Sequence, residues 1–323
     1  MTGGPGVNRL HARCGVAKTG PGVAAAGGGV EGPGRSRRRL LFGALALCLA
    51  AACSSGERQL EAANELRHGG DAKGALAAYK ALLAELGEGP LGAADARIRW
   101  KALRFSGDVA YLDLGDYTGA LSYYRRIVSL YPGTAEAYEA RAVIGDILRD
   151  RFQDHLGAIA QYADVAGSEA PQAPQYQLAV AREYLELKNY EQARTEARIL
   201  RERWPASDLA DEAQLLTAQA WSLEKRDEAA LGAFQALVER KPKPELVARA
   251  YEGLAHIYAQ QSKFDRALEL YTLALPIHPN PDAVRTALEA VRQRQEKART
   301  ATPGDRAAAF DVDKVKPNPR EHL

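Results

Sequence analysis

One alanine returns through this chain at a spacing that only a stack of similar units explains. It stands at Ala75, Ala120, Ala158, Ala193, Ala230 and Ala267, at intervals of 45, 38, 35, 37 and 37 residues. Four residues later come Tyr79, Tyr124, Tyr162 and Phe234, with Ala197 the exception. Nine residues earlier come Leu66, Tyr111, Tyr184 and Trp221, with Arg149 out of pattern. Pro132, Pro205, Pro242 and Pro279 follow the alanine by twelve residues. Ala63, Ala181 and Ala218 precede it by twelve, and Gly107 and Gly145 stand one place further back. A period of this length with so many shared offsets marks repeated supersecondary units.

The last copy, Tyr251–Pro279, shows what one unit is. Tyr251, Leu254, Ala255 and Tyr258 recur at helical spacing, as do Phe264, Ala267, Leu268, Tyr271 and Ala274, with a polar break at Gln260–Lys263 between them. Ala255 and Ala267 fall where the two helices approach most closely, so a larger side chain there would push the backbones apart. Helices this short are marginal alone. The pair also leaves a second apolar face uncovered, which a neighbouring pair must cover.

The order aromatic, small, small, aromatic, proline resembles the tetratricopeptide repeat over residues 57–279. That resemblance implies an all-α fold, a right-handed superhelical solenoid of about six helix pairs. These units exceed the family's usual length, and joints such as Tyr131–Ala140 and Trp204–Ala213 are similar to those of periplasmic envelope members. The nearest types are the outer-membrane β-barrel assembly lipoprotein and the Tol–Pal coordinator protein. Residues 280–299 read as a capping helix with Val284, Leu288 and Val291 on one side. Pro276 is expected to end or kink the preceding helix early. Gly167–Pro174, with two prolines among small polar residues, is the expected joint of the array.

The ends of the chain read differently. Residues 1–34 hold eleven of the 29 glycines and no folding signal, so they are expected to be a disordered leader or a mis-assigned start. Arg35 to Arg39 and the apolar run Leu40–Ala52 have the layout of an export signal spanning 35–52. The run is too short to cross a bilayer as a helix. Cys53 follows Ala50, Ala51 and Ala52 directly and resembles a lipobox cysteine, with residues 53–56 as its tether. Ordinary cleavage after Ala52 is the alternative, since Ala50 and Ala52 also suit a signal peptidase. A lipidated Cys53 followed by Ser54 implies the periplasmic face of the bacterial outer membrane. Residues 300–323 carry three prolines and few apolar side chains, a composition expected to be disordered.

Composition narrows the chemistry. The chain has 43 basic and 41 acidic residues, seven of the former and one of the latter in residues 1–52, which leaves 36 and 40 for the rest. No basic footprint for nucleic acid or anionic lipid is present in that remainder. His68, His155, His256, His278 and His322 are widely separated, and no zinc-ligand spacing, phosphate loop or nucleophile elbow occurs. The reading is therefore a non-enzyme without metal or cofactor, whose partners are proteins or peptides and, through Cys53, a membrane.

The resemblance places successive first helices along a concave surface. Val109, Asp113, Arg182, Glu186, Gln219, Arg249, Glu252 and His256 would face it. The mixture of Arg182 and Arg249 with Gln219 and His256 suits an extended acidic or C-terminal peptide. A solvated inner face with incidental charges is the rival reading. The lysine–asparagine clamp of chaperone-binding relatives is not reproduced, because Leu60 stands where the lysine would be, beside Asn64. Trp221 and Trp204 read as packing residues, and Trp100 as buried beneath the loop Gly87–Gly92. A scaffold in envelope or outer-membrane assembly is the expected function. The alternative is an accessory or regulator of an enzyme that exports or processes peptidoglycan or polysaccharide.

Overall fold

A computed structural model of the chain describes residues 55–300. Residues 1–54 and 301–323, which include the expected signal segment, Cys53 and the tail, lie outside the described residues. Helices alternate as first and second members of six pairs. They are α1 (Ser55–His68) with α2 (Ala72–Leu86), α3 (Ala93–Asp108) with α4 (Tyr117–Leu130), and α5 (Ala135–Phe152) with α6 (His155–Ala166). They continue as α7 (Ala173–Glu186) with α8 (Tyr190–Arg203), α9 (Leu209–Leu223) with α10 (Asp227–Glu239), and α11 (Pro244–Gln260) with α12 (Phe264–Ala274). The helix α13 (Pro281–Thr300) closes the stack. Each helix packs on its sequence neighbours, as a solenoid requires.

The turn inside every pair is built the same way. The first helix ends on a residue with left-handed backbone: Gly70, Gly115, Gln153, Lys188, Lys225 or Ser262. The residue after it starts the second helix. In four pairs that residue is Asp71, Asp116, Asp154 or Asn189, whose side chain accepts the backbone N–H three residues on, at 2.8–3.2 Å. Such caps satisfy amide groups that the helix itself leaves open. Arg226 and Lys263 hold the place in the last two pairs and make no side-chain cap. At Gly74, Gly119 and Gly157 an added Cβ would lie 2.1–2.2 Å from the capping carboxylate, whereas the Asn189 cap forms over Gln192.

The two displaced glycines of the repeat pattern have one cause. The second and third first-helices carry one extra residue before the turn. In α3 it is accommodated by a π-helical stretch, Val109–Asp113, with Leu114 N–H bonded to Val109 C=O. In α5 the Asp154 N–H reaches back six residues to Leu148 C=O, where Asn189 reaches back only five to Tyr184 C=O. This shifts Gly107 and Gly145 by one place; it does not explain Arg149, because Tyr111 keeps an aromatic at the same offset in the other lengthened helix.

All six repeat alanines are fully buried, as are Ala63, Ala181, Ala218 and Ala255 opposite them. Gly107 and Gly145 take that opposing place in the second and third pairs, because the Tyr124 and Tyr162 rings lie over them, 2.8 and 2.3 Å from a Cβ built there. The segment Gly167–Pro174 is spanned by packing. Tyr162 stacks on Tyr176 at 5.4 Å, His155 Nδ1 meets Glu183 at 2.7 Å, and Arg203 donates to Ala166 C=O at 3.0 Å. The helix α12 ends at Ala274, two residues before Pro276. Val284, Leu288 and Val291 of α13 are buried against it.

The loop at residues 87–92 is held by a residue the sequence did not single out. Buried Arg99 donates to Gly87 C=O, Gly89 C=O and Tyr131 Oη at 2.8–3.2 Å. Trp100 packs, half-buried, against the same core. Leu60 is buried in the first pair, so the place where a clamp lysine would stand is a core position.

Candidate functional site

Six of the eight concave-surface residues named from the sequence, Arg182, Glu186, Gln219, Arg249, Glu252 and His256, line one concavity of about 660 Å³. The helix α7 supplies Arg182, Leu185 and Glu186; α9 supplies Glu212, Leu215, Leu216, Gln219, Ser222 and Leu223. Arg249, Glu252, Gly253 and His256 come from α11, with Phe234, Tyr271 and Ala287 contributed by α10, α12 and α13. The structure does not bring Val109 or Asp113 to this surface. Val109 is fully buried, and Asp113 is held by Arg67 at 2.7 Å. The one-residue insertion turns that end of α3 away from the register assumed for it.

The groove has an apolar floor and a partly neutralised rim. Leu215, Leu216, Phe234 and Tyr271 are buried beneath it. Gly253 lets the floor form: a Cβ there would fall 2.3 Å from the Phe234 ring. Burial, with the neighbouring Glu252 carboxylate, raises the Tyr271 phenol above its ordinary value. On the rim, Arg182 pairs with Glu212 at 2.6 Å, Glu252 with His278 at 3.1 Å, and His256 with Gln260 at 2.7 Å. Arg249, Glu186 and Gln219 make no hydrogen bond or ion pair with the described residues. The groove thus offers one free cation on α11, one free anion on α7 and one free amide on α9 between them.

These polar positions have counterparts in the first three pairs. The place of Arg182, Gln219 and His256 is taken there by Asn64, Asp108 and Asp146. Each of those accepts a hydrogen bond from the tyrosine four residues after the repeat alanine. Tyr79 reaches Asn64, Tyr124 reaches Asp108 and Tyr162 reaches Asp146, all at 2.6–2.7 Å. Burial drives the Tyr124 and Tyr162 phenols up, and the carboxylates that accept their hydrogen bonds push in the same direction. The cavity beside Asp108 and Tyr124 measures only about 30 Å³. With Ala197 and Phe234 in place of tyrosine, Arg182 and Gln219 have no such hydroxyl to hold. In the sixth pair Tyr271 keeps the hydroxyl, but His256 bonds Gln260 instead, so loss of the tyrosine signals the opening only in the fourth and fifth pairs.

Among the described residues, no group of three or more His, Cys, Asp or Glu is placed to hold a metal ion. No described helix is long and apolar enough to cross a membrane.

No curated protein matches the chain in sequence. Its backbone is similar to the crystal structure of apo RapI, 14% identical over 81% of this chain and 78% of that one, with a TM-score of 0.51. It is also similar to a tetratricopeptide repeat protein of Parabacteroides merdae, 16% identical over 74% and 99%, TM-score 0.44. A third is YrrB, described as a TPR protein with an unusual peptide-binding site, 17% identical over 58% and 91%, TM-score 0.42. At these identities the likeness bears on the fold alone. The tetratricopeptide repeat model matches residues 60–133, 109–174, 178–245 and 228–283. Together with the alternating pairs and their buried alanines, those matches mean that the chain belongs to the tetratricopeptide repeat family.

Proposed function

We propose that the chain is a lipid-anchored scaffold of the bacterial envelope, which holds an extended segment of a partner protein in the groove between α7 and α11. The observation that carries the peptide reading is the pair of free charges, Arg249 and Glu186, on opposite sides of a buried apolar floor. A rigid groove already ordered by helix packing adds little ordering cost on binding. Alternate side chains of an extended peptide would enter the floor, while its charges meet the rim. The anchor rests on Cys53, placed directly after the apolar run Leu40–Ala52 and its small residues. A fully acylated cysteine, with more than one chain, gives firm membrane attachment. Localisation to the outer membrane, and a role in assembling it, follow from the envelope-type joints and from Ser54.

Crosslinking in intact cells followed by co-purification in detergent tests the reading. Partners should be captured by the native chain and lost, at least tenfold, with Arg249→Glu, whose helix content should be unchanged. Equal recovery with that variant overturns the groove as the binding face. Palmitate labelling should vanish with Cys53→Ser; labelling that persists removes the anchor. Barrel-assembly proteins among the partners support the assembly role, whereas wall enzymes or polymer exporters would replace it.

A further inference from the structure

The groove lies within reach of a segment of the chain that follows α13. Ala287 of α13 lines the groove, and thirteen residues of helix separate it from Thr300, roughly 20 Å. The last turns of α13 sit beside the α11–α12 turn, where Arg294 donates to Ala259 C=O at 3.2 Å and Gln295 to Asp265 at 2.6 Å. From Thr300, ten extended residues span up to about 33 Å. Phe310 can therefore return to the groove.

The sequence at that point is Phe310-Asp311-Val312-Asp313-Lys314-Val315-Lys316, with apolar residues interleaved among two acids and then two lysines. A segment entering from α13 crosses α11 first, then α9, then α7, which lie side by side. It meets free Arg249 before free Glu186. Its own charges come in the complementary order, acids first and lysines second. Neighbouring helix axes are about 8–10 Å apart, so the two free charges lie roughly 20 Å from each other. Asp311 to Lys316 spans about 16 Å of extended backbone, and the side chains cover the rest. Val312, the next residue past Asp311, would face the floor of Leu215, Leu216 and Phe234.

We propose that residues 310–316 occupy the groove when no partner is bound, with Asp311 on Arg249 and Lys316 on Glu186. This rests on the groove being a peptide site. The partner then has to displace a tethered competitor. At an effective concentration on the order of 1 mM for a short tether, a segment with a Kd of about 0.1 mM fills the groove about nine-tenths of the time. An external ligand binds about tenfold more weakly as a result.

Cleavage by a lysine-specific protease reads the occupancy in the full chain. Cleavage after Lys314 and Lys316 should be at least fivefold slower in the native chain than in Arg249→Glu. Adding Asp311→Arg and Asp313→Arg to that variant should restore the slowing. Glu186→Lys is the second disrupting variant, which guards against a folding defect in the first. Equal rates in the native chain and both single variants overturn the proposal. A fluorescent peptide of residues 305–319 is then added to full chain carrying Asp311→Arg and Asp313→Arg, whose own segment is expelled. Binding that requires Arg249 is expected. Failure of this peptide to bind also overturns the proposal, while partner capture through Arg249 still judges the groove itself.

Discussion

The first three repeats and the last three use the same inner position for opposite ends. Asn64, Asp108 and Asp146 are each tied down by a tyrosine hydroxyl from the second helix of their own pair. Arg182, Gln219 and His256 are not, and a groove of about 660 Å³ opens among them. A second contrast accompanies the first. The Tyr124 and Tyr162 rings lie on glycines of their own first helix, Gly107 and Gly145, whereas Phe234 leans forward onto Gly253 of the following pair. In the fifth pair Phe234 keeps the aromatic bulk at this core offset while losing the hydroxyl, which leaves Gln219 free for recognition. The buried alanines run through both halves unchanged, so the difference lies on the inner face and not in the stack.

That last point is the easiest to break. Ala120 and Ala230 belong to different halves, yet both are fully buried at a helix crossing. Leucine at either place overpacks the crossing and should cost about 1–3 kcal/mol or more. Thermal melts of Ala120→Leu and Ala230→Leu should fall by comparable amounts. An unchanged midpoint for either one means that the halves differ in their core as well.

Why the stack was legible in the sequence and the contrast was not follows from the kind of residue involved. Ala75 to Ala267 recur because a methyl is all the crossing admits, and such steric limits survive as identities at fixed offsets. The caps at Asp71, Asp116, Asp154 and Asn189 sit four residues before those alanines, a regularity that came to light only with the structure. Arg182, Gln219, Arg249 and His256 were named from the family resemblance, and a regular helix carries the register that brings them to one concavity. Val109 and Asp113 were misplaced because one inserted residue, taken up as a π turn, breaks that register locally. Arg99 was missed because nothing local distinguishes an arginine that closes a loop from one on a solvated face. Only the fold brings Gly87, Gly89 and Tyr131 around it.

Removing a hydroxyl on one side and an amide on the other sharpens the contrast. Tyr124→Phe leaves Asp108 without its partner and should cost about 1 kcal/mol, since a half-buried acceptor loses its hydrogen bond. Gln219→Ala removes a side chain that bonds to nothing, so stability should stay within about 0.5 kcal/mol. Partner capture should respond in the reverse order, weakened by Gln219→Ala and untouched by Tyr124→Phe. Chemical denaturation with the co-purification assay reads both. Equal destabilisation by the two substitutions would show that Gln219 is as structurally committed as Asp108.

The smallest effect is a pH dependence confined to the third repeat. Burial raises the Asp146 carboxyl above its ordinary value, although the Tyr162 hydroxyl and Arg149 pull it down. A group whose pKa is higher folded than unfolded contributes stability that is present below the ordinary carboxylate pKa, near 3.9, and is lost as pH rises through the folded value. At neutral pH the buried charge therefore works against the fold. Asp150 behaves oppositely, because the Arg149 guanidinium bonded to it holds its carboxyl down; its contribution is present at neutral pH and lost on acidification. Asn64 shows that a neutral amide can accept the same tyrosine bond in repeat 1. Asp146→Asn should thus gain stability relative to the native chain as pH rises from 3 to 7, while leaving the acid sensitivity of Asp150 in place. Melting midpoints at pH 3, 5 and 7 check the sign. A difference that is flat, or that shrinks toward neutral pH, would mean that Asp146 is better solvated than its place beneath Tyr162 implies, and that repeat 3 is already partly open on its inner face.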